Sequence, residues 1–135
     1  MAELPGLITL RAEMARQYRD GLESHALAQG QAAGIAARIR ETGGLLMLGM
    51  GASHWLNRMV LASYREAGIE AAVEVLSETM RAPLPARPRV TLLTSQSGGS
   101  GEIAAYLERN PDHADHFGLT LNAESTLGRA VPCLI

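Results

Sequence analysis

The sequence predicts an α/β fold in which a parallel sheet is covered by helices on both faces. Short apolar runs of strand length recur along the 135 residues, and stretches with three- and four-residue apolar spacing stand between them. Strands separated by helices run parallel, because each crossover returns the chain to the same end of the sheet. Glycines and prolines mark the changes of period.

Taken in order, Leu7, Leu10, Met14, Tyr18 and Leu22 form the stripe of an amphipathic helix, with Arg11, Glu13, Arg16 and Asp20 off it. Gly21 and Gly30 are expected to loosen or break that pattern, and a second helix is read over residues 32–40, ending at Gly43-Gly44. Leu45-Leu46-Met47-Leu48 is a continuous apolar run bounded by glycine, which suits a strand buried on both faces. Helical spacing returns over 55–67 and stops at Gly68, and 71–76 reads as the second strand. The segment RAPLPARPR, 81–89, holds three prolines and is a loop. A third strand over 90–93, a helix over 102–109 and a fourth strand over 117–121 follow. Residues 122–128 fit a short helical turn, and 130–135 a fifth strand. The expected division is an N-terminal helical segment, 1–43, and an α/β domain, 44–135, whose last strand and final helix read as cut short, since a strand with no following helix leaves sheet surface bare.

Composition narrows the function classes. With 47% hydrophobic residues the chain can bury a core as one unit. The balance of 12 Lys+Arg against 14 Asp+Glu, with no basic cluster, argues against nucleic acid and anionic membranes as partners. No apolar run approaches the ~20 residues of a membrane span, and the N-terminus has no secretory pattern. A single cysteine, Cys133, excludes an internal disulfide and fits a reducing compartment, so a cytoplasmic location is expected. His25, His54, His113 and His116 show no metal-ligand spacing, and neither metal nor cofactor is expected.

Two loops carry the chemistry. The first strand ends in Gly49-Met50-Gly51-Ala52-Ser53-His54 and the third in Ser95-Gln96-Ser97-Gly98-Gly99-Ser100. If the strand order is 2-1-3-4-5, these strands flank the switch point and both loops open into one crevice. Each loop precedes a helix, whose first N–H groups attract an anion, and glycines let the backbone approach it. The hydroxyls of Ser95, Ser97 and Ser100 add donors without bulk. A hydrogen bond to a charged group contributes roughly 1.5–3 kcal/mol, so several together would hold a phosphate monoester without lysine or arginine. No Gly-Lys-Ser/Thr closes either loop, which removes a Walker A reading, and His54 stands where a dinucleotide fingerprint needs glycine. Gly49 and Gly51 by themselves also fit a plain tight turn. Glu102, Glu78 and His54 are the acid/base candidates, each with a bland alternative as a helix-end or packing residue. Trp55, Met59 and Tyr64 read as packing, and Cys133 as inert core.

The stretches LLMLGMGASHW, VEVLSETMR, VTLLTSQSGGSGEI and GLTLNAESTLGRAVP, within 45–132, resemble the sugar isomerase (SIS) domain family of phosphosugar isomerases and phosphosugar-binding regulators. The resemblance implies a three-layer α/β/α sandwich with a five-stranded parallel sheet of flavodoxin-like order 2-1-3-4-5, preceded here by N-terminal helices. It implies a sugar-phosphate ligand, with Ser95, Gln96, Ser97 and Ser100 in the phosphate loop and Gly51 and Ser53 in the turn that contacts the sugar. It points to an aldose/ketose or amino-sugar phosphate isomerase or deaminase, with Glu102 and His54 as catalytic candidates, acting as a homodimer or higher oligomer. Where the glucosamine-6-phosphate synthase branch reads Ser-Gln-Ser-Gly-Glu-Thr, this chain has Gly99 and Ser100 in the last two places. In the two-domain enzymes a second domain supplies the base, the ring-opening histidine and the lysine, so the resemblance implies a phosphosugar isomerase or its N-terminal half or, alternatively, a non-catalytic phosphosugar-sensing module.

Overall fold

The computed structural model describes residues 4–135. The chain runs α1 (Pro5–Thr42), β1 (Gly44–Gly49), α2 (Gly51–Glu66), β2 (Glu70–Val75), α3 (Leu76–Arg81), β3 (Val90–Thr94), α4 (Gly101–Arg109), β4 (His116–Leu119), α5 (Thr126–Ala130) and β5 (Cys133–Leu134). All five strands form one parallel sheet in the order β2-β1-β3-β4-β5, with helices on both faces: the three-layer sandwich expected from the sequence.

The apolar runs take the centre because they are apolar on both sides. Every residue of β1 and of β3 is buried. Alternate side chains divide between two cores: Leu46, Leu48 and Leu93 meet Ile103 and Leu107 of α4 and Leu127 of α5, whereas Leu45, Met47, Val90 and Leu92 meet Ile35 and Ile39 of α1. Leu61 and Tyr64 of α2 pack against this second core. Each fully buried leucine contributes about 1.5–3 kcal/mol, so a one-residue slip of a central strand would exchange both sets at once.

The N-terminal segment departs from expectation. Residues 5–42 form one helix of 38 residues where two were expected. A glycine inside a helix costs about 1 kcal/mol relative to alanine, too little to break a run of strong helix formers. A Cβ at Gly21 or Gly30 would meet nothing within 4 Å, so neither glycine marks a close contact. Only Ile35 and Ile39 of this helix are buried; residues 4–27 are exposed except for the half-buried Asp20. The packed end is tied down by Arg38, whose Nε and Nη2 donate to the Asp115 carboxylate at 2.5 and 3.0 Å. That pairing pushes the Asp115 carboxyl below its ordinary range.

α3 is a second departure, since the sequence reads 71–76 as strand through Leu76 and predicts no helix directly after it. Leu76 is fully buried and starts the helix with no intervening residue after β2. The Thr79 hydroxyl donates to the Leu76 carbonyl at 2.8 Å. Six residues are too few for an apolar period to register. Among the described residues no helix is long and apolar enough to cross a membrane, and no group of three or more His, Cys, Asp or Glu side chains is placed to hold a metal.

Candidate functional site

β1 and β3 lie side by side, while their crossovers lead to opposite edges of the sheet, so the crevice above their carboxyl ends is the topological switch point. After β1 a single residue, Met50, leads into α2. A Cβ on Gly49 would lie 2.9 Å from the backbone of Ser53 and His54, so glycine is what lets the helix start this close to its strand. No side chain caps α2; the Ser53 N–H turns back to the Met50 carbonyl at 3.0 Å.

The loop after β3, residues 95–100, is built around Gly98 (φ +63°). Its N–H donates to both the carbonyl (3.2 Å) and the hydroxyl oxygen (3.1 Å) of Ser95, and its carbonyl accepts from the Leu127 N–H at 2.9 Å. A Cβ here would lie 2.1 Å from the Ser125 oxygen and 2.8 Å from that of Thr120. The Ser97 oxygen accepts from the Gly99 N–H at 3.4 Å, and the Ser100 oxygen caps α4 by accepting from the Ile103 N–H at 3.3 Å. All three seryl oxygens therefore hold the loop's own shape, and their O–H groups keep a proton to donate outward.

Two cavities open here. A small one of about 90 Å³ is lined by Ser53 from the first turn and Ser95, Ser100 and Glu102 from the second, together with Met50, Leu76, Thr94 and Ile103. A groove of about 650 Å³ adjoins it, sharing Ser53 and Thr94; Gln96 and Thr120 stand on that shared side, and Trp55, Leu56, Met59 and Leu121 form an apolar wall.

The candidates from the sequence divide accordingly. Ser53, Ser95, Ser100 and Glu102 meet in the small cavity, and Gln96 faces the groove. Ser97 and Gly51 line neither cavity, and both are exposed. His54 lines neither: it is half-buried on α2, its ring edge-on to Trp55 at 5.7 Å and its Nδ1 buried without a partner. Glu78 lines neither. Cys133 is half-buried, and burial pushes its thiol up, away from reactivity.

Other residues of the site carry no signal in the sequence. Trp55 and Met59, expected to pack, are instead 66% and 79% exposed on the groove wall. Helical spacing assigns them to a face without saying whether anything covers it. The Thr94 hydroxyl donates to Asn57 Oδ1 at 2.8 Å, a buried strut tying β3 to α2 beneath the crevice. The Thr120 hydroxyl donates to the Gln96 carbonyl at 3.2 Å and buttresses the loop from the end of β4. A threonine at a strand end or an asparagine in a helix is too common for its partner to be read from sequence.

No family model matches the sequence, and no curated protein matches it by sequence. Solved structures do match in shape. An Escherichia coli CFT073 protein in complex with A5P superimposes with a TM-score of 0.78 at 20% identity, over 98% of this chain and 74% of that one. The tagatose-6-phosphate ketose/aldose isomerase of Escherichia coli matches with a TM-score of 0.67 at 18% identity, over 84% of this chain but only 35% of that enzyme. The sugar isomerase domain of the RpiR transcription factor from Sphaerobacter thermophilus matches with a TM-score of 0.64 at 18% identity, over 91% of this chain and 75% of that one. The fold is that of sugar isomerase domains.

Proposed function

We propose that this chain binds a sugar phosphate in the crevice between the turns that follow β1 and β3. One observation supports the reading above the rest: Ser53 from one turn and Ser95 and Ser100 from the other converge on a single small cavity. The uncapped start of α2 and the start of α4 both open onto this edge, and their N–H groups favour a dianion. The small cavity of about 90 Å³ and the groove meet at Ser53 and Thr94, so a sugar phosphate would lie across the two. The ligand-binding unit would be residues 44–135, with 1–43 as its helical extension. A lone, half-buried cysteine agrees with a cytoplasmic setting.

An isomerase reading rests on Glu102, among the described residues the one carboxylate that lines the small cavity. A carboxylate placed there would take the proton from the hydroxyl-bearing carbon next to a carbonyl, leaving an enediolate, and return it to the former carbonyl carbon while the hydroxyl proton passes to the former carbonyl oxygen. His54 lines neither cavity and meets Trp55 edge-on, so the reading gives it no share in that work. A sensing reading needs only the cradle.

Phosphorus NMR with fructose 6-phosphate or glucosamine 6-phosphate tests both. Saturable broadening or shift of the ester resonance, absent with the unphosphorylated sugar, is expected. Equal response to both sugars, or to neither, would reject the phosphate cradle. New sugar resonances that disappear in Glu102→Gln would select the isomerase over the sensor.

A further inference from the structure

On the face of the sheet away from α1, a cavity of about 220 Å³ opens between α3, the proline-rich loop and the end of α4. It shares no lining residue with the small cavity or the groove of the crevice. The apolar part of its lining is Leu46, Leu48, Met80, Pro83 and Leu84, and the charged part is Arg89 and Arg109. Among the described residues no carboxylate lines it, and neither arginine pairs with one. Other arginines are engaged: Arg38 holds Asp115 and Glu41, Arg87 pairs with Glu70, and Arg65 Nε donates to the Ala71 carbonyl at 3.1 Å. The neighbouring cavity of about 370 Å³, which Arg89 also borders, sets Glu70 and Glu74 against its arginines.

Arg89 is held in place at its base. It is half-buried beside the fully buried Val90, and a Cβ on Gly44 would lie 2.9 Å from the Arg89 Cβ, so glycine is what lets the arginine stem lie against β1. Its charge reaches Tyr106, where it opposes the rise that burial imposes on the phenol. The phenol oxygen lies 3.3 Å from His116 Nε2.

We infer that this cavity binds an organic monocarboxylate with a short apolar tail, its head at Arg89 and Arg109 and its tail against Leu46, Leu48 and Met80. Guanidinium forks match a carboxylate, and a mainly apolar lining with a few polar groups is the usual make-up of a small-molecule site. The remaining polar groups limit the head to one charge. The Thr79 hydroxyl donates to the Leu76 carbonyl at 2.8 Å and Asn110 Nδ2 to the Tyr106 carbonyl at 2.8 Å, so both are engaged within the chain. Tyr106, Arg109 and Asn110 also belong to the carbonyl end of α4, which works against a dianion. A single charge between two cations is favoured there; a phosphate finds too few donors.

Isothermal titration of the full chain with hexanoate, acetate, hexanol and inorganic phosphate tests the site. Hexanoate is expected to saturate at one molecule per chain. Acetate lacks the tail and hexanol the charge, so each should bind at least about tenfold more weakly. Arg89→Gln and Arg109→Gln should each weaken hexanoate about tenfold. Arg109 is exposed, so its variant is expected to melt as the parent chain does and keeps the test valid should Arg89→Gln unfold. Hexanoate that does not saturate, hexanol or phosphate bound as tightly as hexanoate, or full affinity in Arg109→Gln would overturn the inference. Displacement of hexanoate by fructose 6-phosphate would do the same, by putting it in the crevice. Because hexanoate carries neither sugar nor phosphate, failure of the crevice to bind a sugar phosphate would sink the proposed function and leave this site standing.

Discussion

After β1 the chain takes one residue, Met50, to enter a helix; after β3 it takes the whole of 95–100. The short turn leaves the first N–H groups of α2 without a side-chain cap, whereas the long loop satisfies itself with Ser95, Ser97 and Ser100 oxygens and leans on Thr120 and Ser125 from the next crossover. One side of the crevice therefore offers bare backbone at a helix end, and the other offers hydroxyl protons on a braced frame. A dianion meeting both is held by uncharged groups whose positions are set before it arrives, which lowers the cost of ordering them on binding.

Substitutions that separate brace from cradle test this contrast. The largest effect is expected for Gly98→Ala, which forces a left-handed backbone on alanine and drives a methyl into Ser125 and Thr120. Strain and overpacking together should cost about 3 kcal/mol in urea denaturation, and an unchanged midpoint would mean the loop is not braced as described. Gly49→Ala presses on the backbone of Ser53 and His54, where only the start of α2 can yield, and is expected to cost about 1–3 kcal/mol. Its signature should be loss of sugar-phosphate binding before loss of fold, since Ser53 moves with the helix end. Ser97→Ala sharpens the comparison from the other side. Ser97 holds only the Gly99 N–H, at 3.4 Å, so stability should change by less than about 0.5 kcal/mol. Phosphate affinity should nonetheless fall roughly tenfold if its O–H reaches the ester. Loss of unphosphorylated sugar to the same extent would assign the residue to the sugar instead.

The smallest effect concerns the opposite end of the sheet. Burial, reinforced by His113, holds the His116 imidazole below its ordinary 6.5. The unfolded chain therefore binds a proton first as pH falls, so stability is full above pH 6.5 and declines from there toward the lowered folded value. His116→Gln should remove that decline in thermal melts from about pH 7.5 to about pH 5. The same decline in the two loop-glycine variants would confirm that this end titrates independently of the crevice.

Much of this was legible because it is local. Runs such as Leu45 to Leu48 and Val90 to Leu93, apolar without alternation, require cover on both faces, and that requirement alone implies a parallel sheet with crossover helices. The glycine and serine content of 95–100 marked a loop made for close approach, since such residues fill neither a strand nor a helix well. Other features were illegible because they depend on what lies opposite. Gly21 and Gly30 suggested a break that the helix does not make, and the α1 stripe looked identical over its packed and bare halves.

The sequence by itself determined the periods, and through them which residues form strands, which form helices and where the chain can turn. Tertiary structure alone decided that Ser95 and Ser100 line a cavity while Ser97 does not, that Thr94 grips Asn57, and that Trp55 looks onto an open groove. A pattern of apolar and polar residues states that a face needs covering; which atoms cover it is settled only when distant segments are brought together.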